Sequence, residues 1–201
     1  GVPWAPPEPG TPGAAATEAF VPVLPAPARP WRAPATEDAQ DAAAARLGQA
    51  VHRVLEWAGQ PGPARQDFDL PAAARSAAGA FGLPAKDAPR VAATARRILE
   101  SPACAAFFGG PALRWAGNEV PVAGEGGELL RIDRLVLLQP SAAAPTWWVL
   151  DYKLQAGPAS LPLYREQLAR YVRAVAALQP GETVRAALIT GDGALLPLEP
   201  G

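Results

Sequence analysis

The chain has 201 residues, 49% of them apolar, which is enough for one domain with a substantial core. Eighteen Lys and Arg against 19 Asp and Glu leave a formal net charge of -1, which argues against a protein whose nucleic-acid affinity comes from bulk positive charge. One cysteine, Cys104, excludes an internal disulfide and any four-cysteine zinc or iron–sulfur site, and no apolar run is long enough to span a membrane.

The first 36 residues read as a proline-rich linker, or the remnant of an upstream region, carrying Trp4, Phe20 and Trp31. No methionine begins the chain, so a fragment of a longer polypeptide or a processed product is expected, and a cytosolic setting is the default without a signal-peptide pattern. A first helix is expected from the cap residue Thr36 to Ala58, with Leu47, Val51, Val54, Leu55 and Ala58 as its buried stripe. His52, the only histidine, lies beside that stripe, and Gly48 leaves space one turn earlier. After a loop over 60–69, Pro71–Phe81 and Lys86–Glu100 read as helices, and Pro102–Phe108 as a short one. Cys104, within Ala103–Phe108, reads as a small buried hydrophobe.

The period then changes. Leu113–Val122, Glu128–Leu138 and Thr146–Tyr152 read as strands; Gly124–Gly127 makes a hairpin of the first two, and the short 139–145 loop makes the next pair antiparallel. A helix over 160–178 follows, with Leu168, Tyr171, Val172 and Val175 toward the core, then a strand over 183–190 and a short one over 194–198. A helix between the third and fourth strands permits a parallel crossover. The expected fold is therefore α/β, a mixed central sheet flanked by helices.

Two carboxylates follow largely apolar segments of this sheet: Asp133 after Leu129–Ile132, within the second strand, and Asp151 after Trp147–Leu150. Side chains alternate along a strand, so Lys153 would share a face with Asp151. A divalent cation held by carboxylates can neutralise a phosphodiester and lower the pKa of water. Lys153 would orient that water or offset developing charge, and a neutral His52 could complete the ligand shell. Each element has an ordinary alternative: Asp151–Lys153 as a solvated turn, Ile132–Arg134 as a surface salt bridge, His52 as a half-buried helix residue, Gln167 and Tyr171 as helix surface. Order and spacing together favour the site.

The segments Leu47–Glu56, Glu119–Pro121, Arg131–Val136, Trp148–Lys153 and Tyr164–Tyr171 together resemble the RecB-type nuclease domain of the PD-(D/E)XK superfamily, most of all the C-terminal nuclease domain of AddA and related UvrD-type helicase–nucleases. The resemblance covers residues 45–190, implies the restriction-endonuclease-like core, and places the nuclease domain over 37–201. It implies His52, Asp133, Asp151 and the Tyr152 backbone carbonyl as ligands of Mg2+ or Mn2+, Lys153 as the catalytic lysine, and Gln167 and Tyr171 as a Gln-x-x-x-Tyr motif at the active site. Glu119 matches a frequently acidic position. Implied partners are single-stranded DNA or DNA ends, an upstream helicase domain of the same polypeptide and a partner nuclease or helicase subunit, in a bacterial cytoplasm. Arg131 departs from the family, which often has glycine there. The iron–sulfur subtype is excluded, and no phosphate-binding Gly-x-x-x-x-Gly-Lys loop is present to hold ATP. Three functions follow as expectations: an exonuclease domain of a helicase–nuclease in double-strand break repair and recombination, a non-catalytic DNA-end-binding module of the same fold, or a free-standing nuclease.

Overall fold

A computed structural model describes residues 39–60, 68–154 and 161–198. The linker expected over 1–36, the Thr36 cap and the start of the 160–178 helix lie outside the described residues. Among the described residues, five α-helices and five strands follow in the order α1 (Ala39–Ala58), α2 (Leu70–Ala80), α3 (Ala88–Glu100), α4 (Ala105–Phe108), β1 (Leu113–Ala123), β2 (Leu129–Leu138), β3 (Thr146–Tyr152), α5 (Leu161–Leu178), β4 (Thr183–Ile189) and β5 (Leu195–Leu198).

The strands form one sheet in sequence order, β1-β2-β3-β4-β5. Only β3 and β4 are parallel, and α5 lies between them in the chain, as a parallel connection requires. The mixed α/β fold read from the sequence is the fold observed.

Apolar side chains on the two faces of the sheet build two cores. On one, Val136, Leu138, Leu150, Tyr152, Ala187 and Ile189 pack with α1 to α4, whose stripe residues Val51, Val54, Leu55, Val91, Ala95 and Ile98 are fully buried. On the other, Ile132, Leu135, Val149, Ala186 and Leu188 pack against Leu168, Tyr171, Ala174 and Val175 of α5. Cys104 is buried in the first core, as expected of a small hydrophobe.

The strand alternation breaks where chemistry is expected. Leu130 and Ile132 face α5, and strict period two would send Arg134 the same way. Arg134 instead joins Val136 and Leu138 on the α1–α4 face, so the switch falls at Asp133. Across the hairpin, Glu119 has φ +52, a left-handed conformation that costs a non-glycine residue about 1–2 kcal/mol. It sits between the paired positions Asn118↔Arg134 and Val120↔Ile132. As a result Asn118 and Glu119, consecutive in sequence, both reach α1.

Arg134 is completely buried, which removes the surface salt bridge that was the ordinary alternative for Ile132–Arg134. Its guanidinium donates to Phe107 O at 3.0 and 2.8 Å, to Gly59 O at 3.2 Å and to Asn118 Oδ1 at 2.6 Å. The two carbonyls lie at the C-terminal ends of α4 and α1, where the helix dipole favours a cation. Asn118 donates in turn to Glu56 O at 2.9 Å. One arginine thus ties the end of α1 to both strands of the hairpin, and Gly59 is required because a β-carbon there would overlap the guanidinium.

Candidate active site

The β2–β3 ladder runs from Leu138↔Thr146 to Arg134↔Leu150 and stops, leaving Asp133 and Asp151 as the first pair past its end. There Asp133 Oδ2 accepts a hydrogen bond from the Tyr152 backbone N–H at 3.1 Å. Asp151 is buried and Asp133 half-buried beside it. Burial is the largest cause raising Asp133 to about 6, opposed by the Tyr152 N–H and Lys153. Burial again comes first in raising Asp151 to about 7, and the adjacent Asp133 charge adds to it.

Lys153 follows β3 directly, and its Nζ lies 2.6 Å from Asp151 Oδ2, as their shared face predicted. Burial pulls the ammonium down, but Asp151 and Asp133 outweigh it, so Lys153 is held protonated. The Tyr164 ring of α5 stands 5.0 Å from Nζ. Also on α5, Gln167 Nε2 donates to the Tyr171 hydroxyl at 2.9 Å. Burial raises the Tyr171 pKa, and the Asp151 and Asp133 charges, felt at the ring, add to it.

His52 approaches from α1. Its Nε2 lies 3.3 Å from Glu119 Oε1, 3.6 Å from Glu56 Oε1 and 4.0 Å from Asp133 Oδ1. Its ring meets the Tyr152 ring edge-on at 5.0 Å. Burial lowers the His52 pKa despite the raising effect of Glu56 and Glu119, so the imidazole is neutral near pH 7 and offers a lone pair. Burial likewise raises Glu56.

These contacts join His52, Glu119, Asp133, Tyr152, Asp151 and Lys153, while Gln167 and Tyr171 pair with each other on α5. Among the described residues, a donor group not read from the sequence pairs His52 with two glutamates. His52, Glu56 and Glu119 each bring a ligand atom to within 4.8 Å of the others, with Asp133 beside them. Glu56 went unrecognised in the sequence, although the His52–x–x–x–Glu56 spacing puts both on one helix face.

The residues fit a divalent cation. His52 Nε2 is buried with no aligned hydrogen-bond partner, yet points among carboxylate oxygens that repel one another. A mixed oxygen and imidazole donor set of this kind suits Mg2+ or Mn2+. His52, Glu56, Glu119, Asp133 and Asp151 would hold it.

A carboxylate pair at diverging strands, a lysine two residues after the second, and a cation-ready cluster describe a PD-(D/E)XK arrangement. The profile of the PD-(D/E)XK nuclease superfamily matches residues 28–195. The chain belongs to the PD-(D/E)XK nuclease superfamily. No curated protein matches the chain. No helix among the described residues of this superfamily member is long and apolar enough to cross a membrane.

Proposed function

We propose that this chain is a Mg2+- or Mn2+-dependent deoxyribonuclease of the RecB type, acting as the exonuclease domain of a helicase–nuclease in double-strand break repair and recombination. The observation that carries the nuclease reading is the Asp133–Asp151–Lys153 constellation at the end of the β2–β3 ladder. The helicase–nuclease context rests on the five-segment resemblance. A linked motor would supply substrate at high effective concentration, which suits a domain with a net charge of -1.

A bound divalent cation would withdraw charge from the phosphodiester and make water a nucleophile. The chain's own groups do the rest. Lys153 keeps its proton beside Asp151 and offsets charge that develops on the phosphate. Asp133 fixes the Tyr152 backbone, and so the position of Asp151 and Lys153 on either side of it. Tyr171, whose hydroxyl accepts from Gln167, keeps its own O–H free to donate to the nucleic-acid strand in the role that the Gln-x-x-x-Tyr resemblance implies.

The test is hydrolysis of end-labelled linear single- and double-stranded DNA with Mg2+ or Mn2+. Wild-type protein is expected to release nucleotides from ends and to stop on chelation. Asp151→Ala and Lys153→Ala should each lose at least about 100-fold in rate, the scale of one electrostatic catalytic group. Cleavage that survives both substitutions would refute the site. A protein that binds DNA ends but cleaves none with either metal would support the non-catalytic module instead.

A further inference from the structure

Beside the carboxylates lies a pocket of about 200 Å3, lined by His52, Glu56, Glu119, Gln49, Arg53 and Arg131. Its two acids each bridge. Glu56 turns Oε1 to His52 at 3.6 Å and Oε2 to Arg53 Nη1 at 3.0 Å. Glu119 turns Oε1 to His52 at 3.3 Å and Oε2 to Arg131 Nε at 2.5 Å. The imidazole is thus flanked by two carboxylates, and each carboxylate holds an arginine on the pocket rim with its outer oxygen.

Neither arginine is consumed by these contacts. A guanidinium has five N–H donors, each of these contacts engages one nitrogen, and the side chains are 47% and 71% exposed. Exposed ion pairs contribute little to stability, so folding alone gives no reason to build two of them on one histidine. Binding does. A phosphate strand approaching this site meets the carboxylates of Glu56, Glu119, Asp133 and Asp151, more negative charge than one divalent cation cancels. The chain has no overall positive charge to compensate. Pre-oriented guanidiniums match phosphate geometry and lose little freedom on contact.

We propose that Arg53 and Arg131 form a phosphate clamp at the mouth of the active site, gripping the backbone of the nucleic-acid strand next to the phosphodiester that is cleaved. They are positioning residues, set by Glu56 and Glu119. The proposal rests on the nuclease reading and adds the pair that docks its substrate. It also gives Arg131, which stands where relatives often carry glycine, a role specific to this chain.

The experiment measures binding of a fluorescein-labelled single-stranded oligonucleotide by anisotropy across a salt series in calcium buffer. It compares wild type, Arg53→Ala, Arg131→Ala, the double alanine variant, the double lysine variant and Arg96→Ala, which removes an exposed arginine on α3 outside the pocket. Both rim arginines are exposed, so thermal melts should show all variants folded. Each rim alanine is expected to weaken binding about 5–10-fold and to reduce the slope of log K against log salt by about 0.7, one single-strand phosphate contact. The double lysine variant should keep the slope and lose part of the affinity, and Arg96→Ala should match wild type. In steady-state cleavage, KM should rise while kcat stays within about twofold. Rim variants with wild-type affinity and slope, an equal loss in Arg96→Ala, or a wild-type protein that binds no oligonucleotide at low salt would each overturn the clamp. A wild type that binds through these arginines yet cleaves nothing would leave the clamp standing and remove the nuclease reading.

Discussion

Asp151 is an acid that the fold prefers neutral. Its pKa rises from the ordinary 3.8 to about 7 because burial and Asp133 disfavour the charge. The folded state then binds its proton more tightly than the unfolded chain, so stability falls as pH rises from about 4 through about 7. In chelator, Asp151→Asn should therefore melt above wild type, with a gap that is small at pH 5 and several °C at pH 8. Differential scanning fluorimetry at the two pH values checks this; a gap equal at both, or reversed at pH 8, would contradict it. The pair Asp133 and Asp151 was legible in the sequence from its position at the ends of apolar runs. Its strain was not, because desolvation depends on what packs over a carboxylate. Glu56 shows the same limit: its spacing from His52 was visible, but only the arrival of Glu119 from the hairpin makes that spacing a ligand pair.

At the scale of elements, the decisive feature is the way α1 is fastened to the hairpin. Arg134 spans Gly59 O, Phe107 O and Asn118 Oδ1, and Asn118 reaches Glu56 O. This lattice holds His52 and Glu56 over Asp133. Arg134→Met would leave two helix-end carbonyls and an amide unsatisfied in the core, at a cost of about 3–5 kcal/mol. Gly59→Ala, which forces the guanidinium aside, should also destabilise. Urea unfolding measures both, and an Arg134→Met loss below about 1 kcal/mol would show that the lattice is incidental. Helices and strands themselves were readable from periodicity, since β1, β2, β3 and the stripes of α1, α3 and α5 follow periods of two and 3.6. The exception is where alternation fails, at Glu119 and Asp133, and there a strict two-residue pattern points Arg134 to the wrong face.

For the whole molecule, the donor cluster makes stability depend on metal. A cation that binds only the folded chain stabilises by mass action, about 2.7 kcal/mol at 100 times its Kd. The melting temperature should then rise by roughly 5–10 °C with Mn2+ or Mg2+, and His52→Ala or Glu56→Gln should remove most of that rise. An undiminished shift in both variants would place the cation elsewhere.

The fold class, the antiparallel pairing of the first three strands and the shared face of Asp151 and Lys153 were readable from the chain alone, because hydrophobic period and motif spacing are local properties of sequence. Three things emerge only in the folded molecule. Arg134 is a buried tie rather than a surface ion, Glu56 joins His52 and Glu119 in one donor group, and Arg53 and Arg131 meet at one rim. Each depends on segments far apart in the chain meeting in space, and on a broken alternation at Glu119 and Asp133 that no periodic pattern encodes.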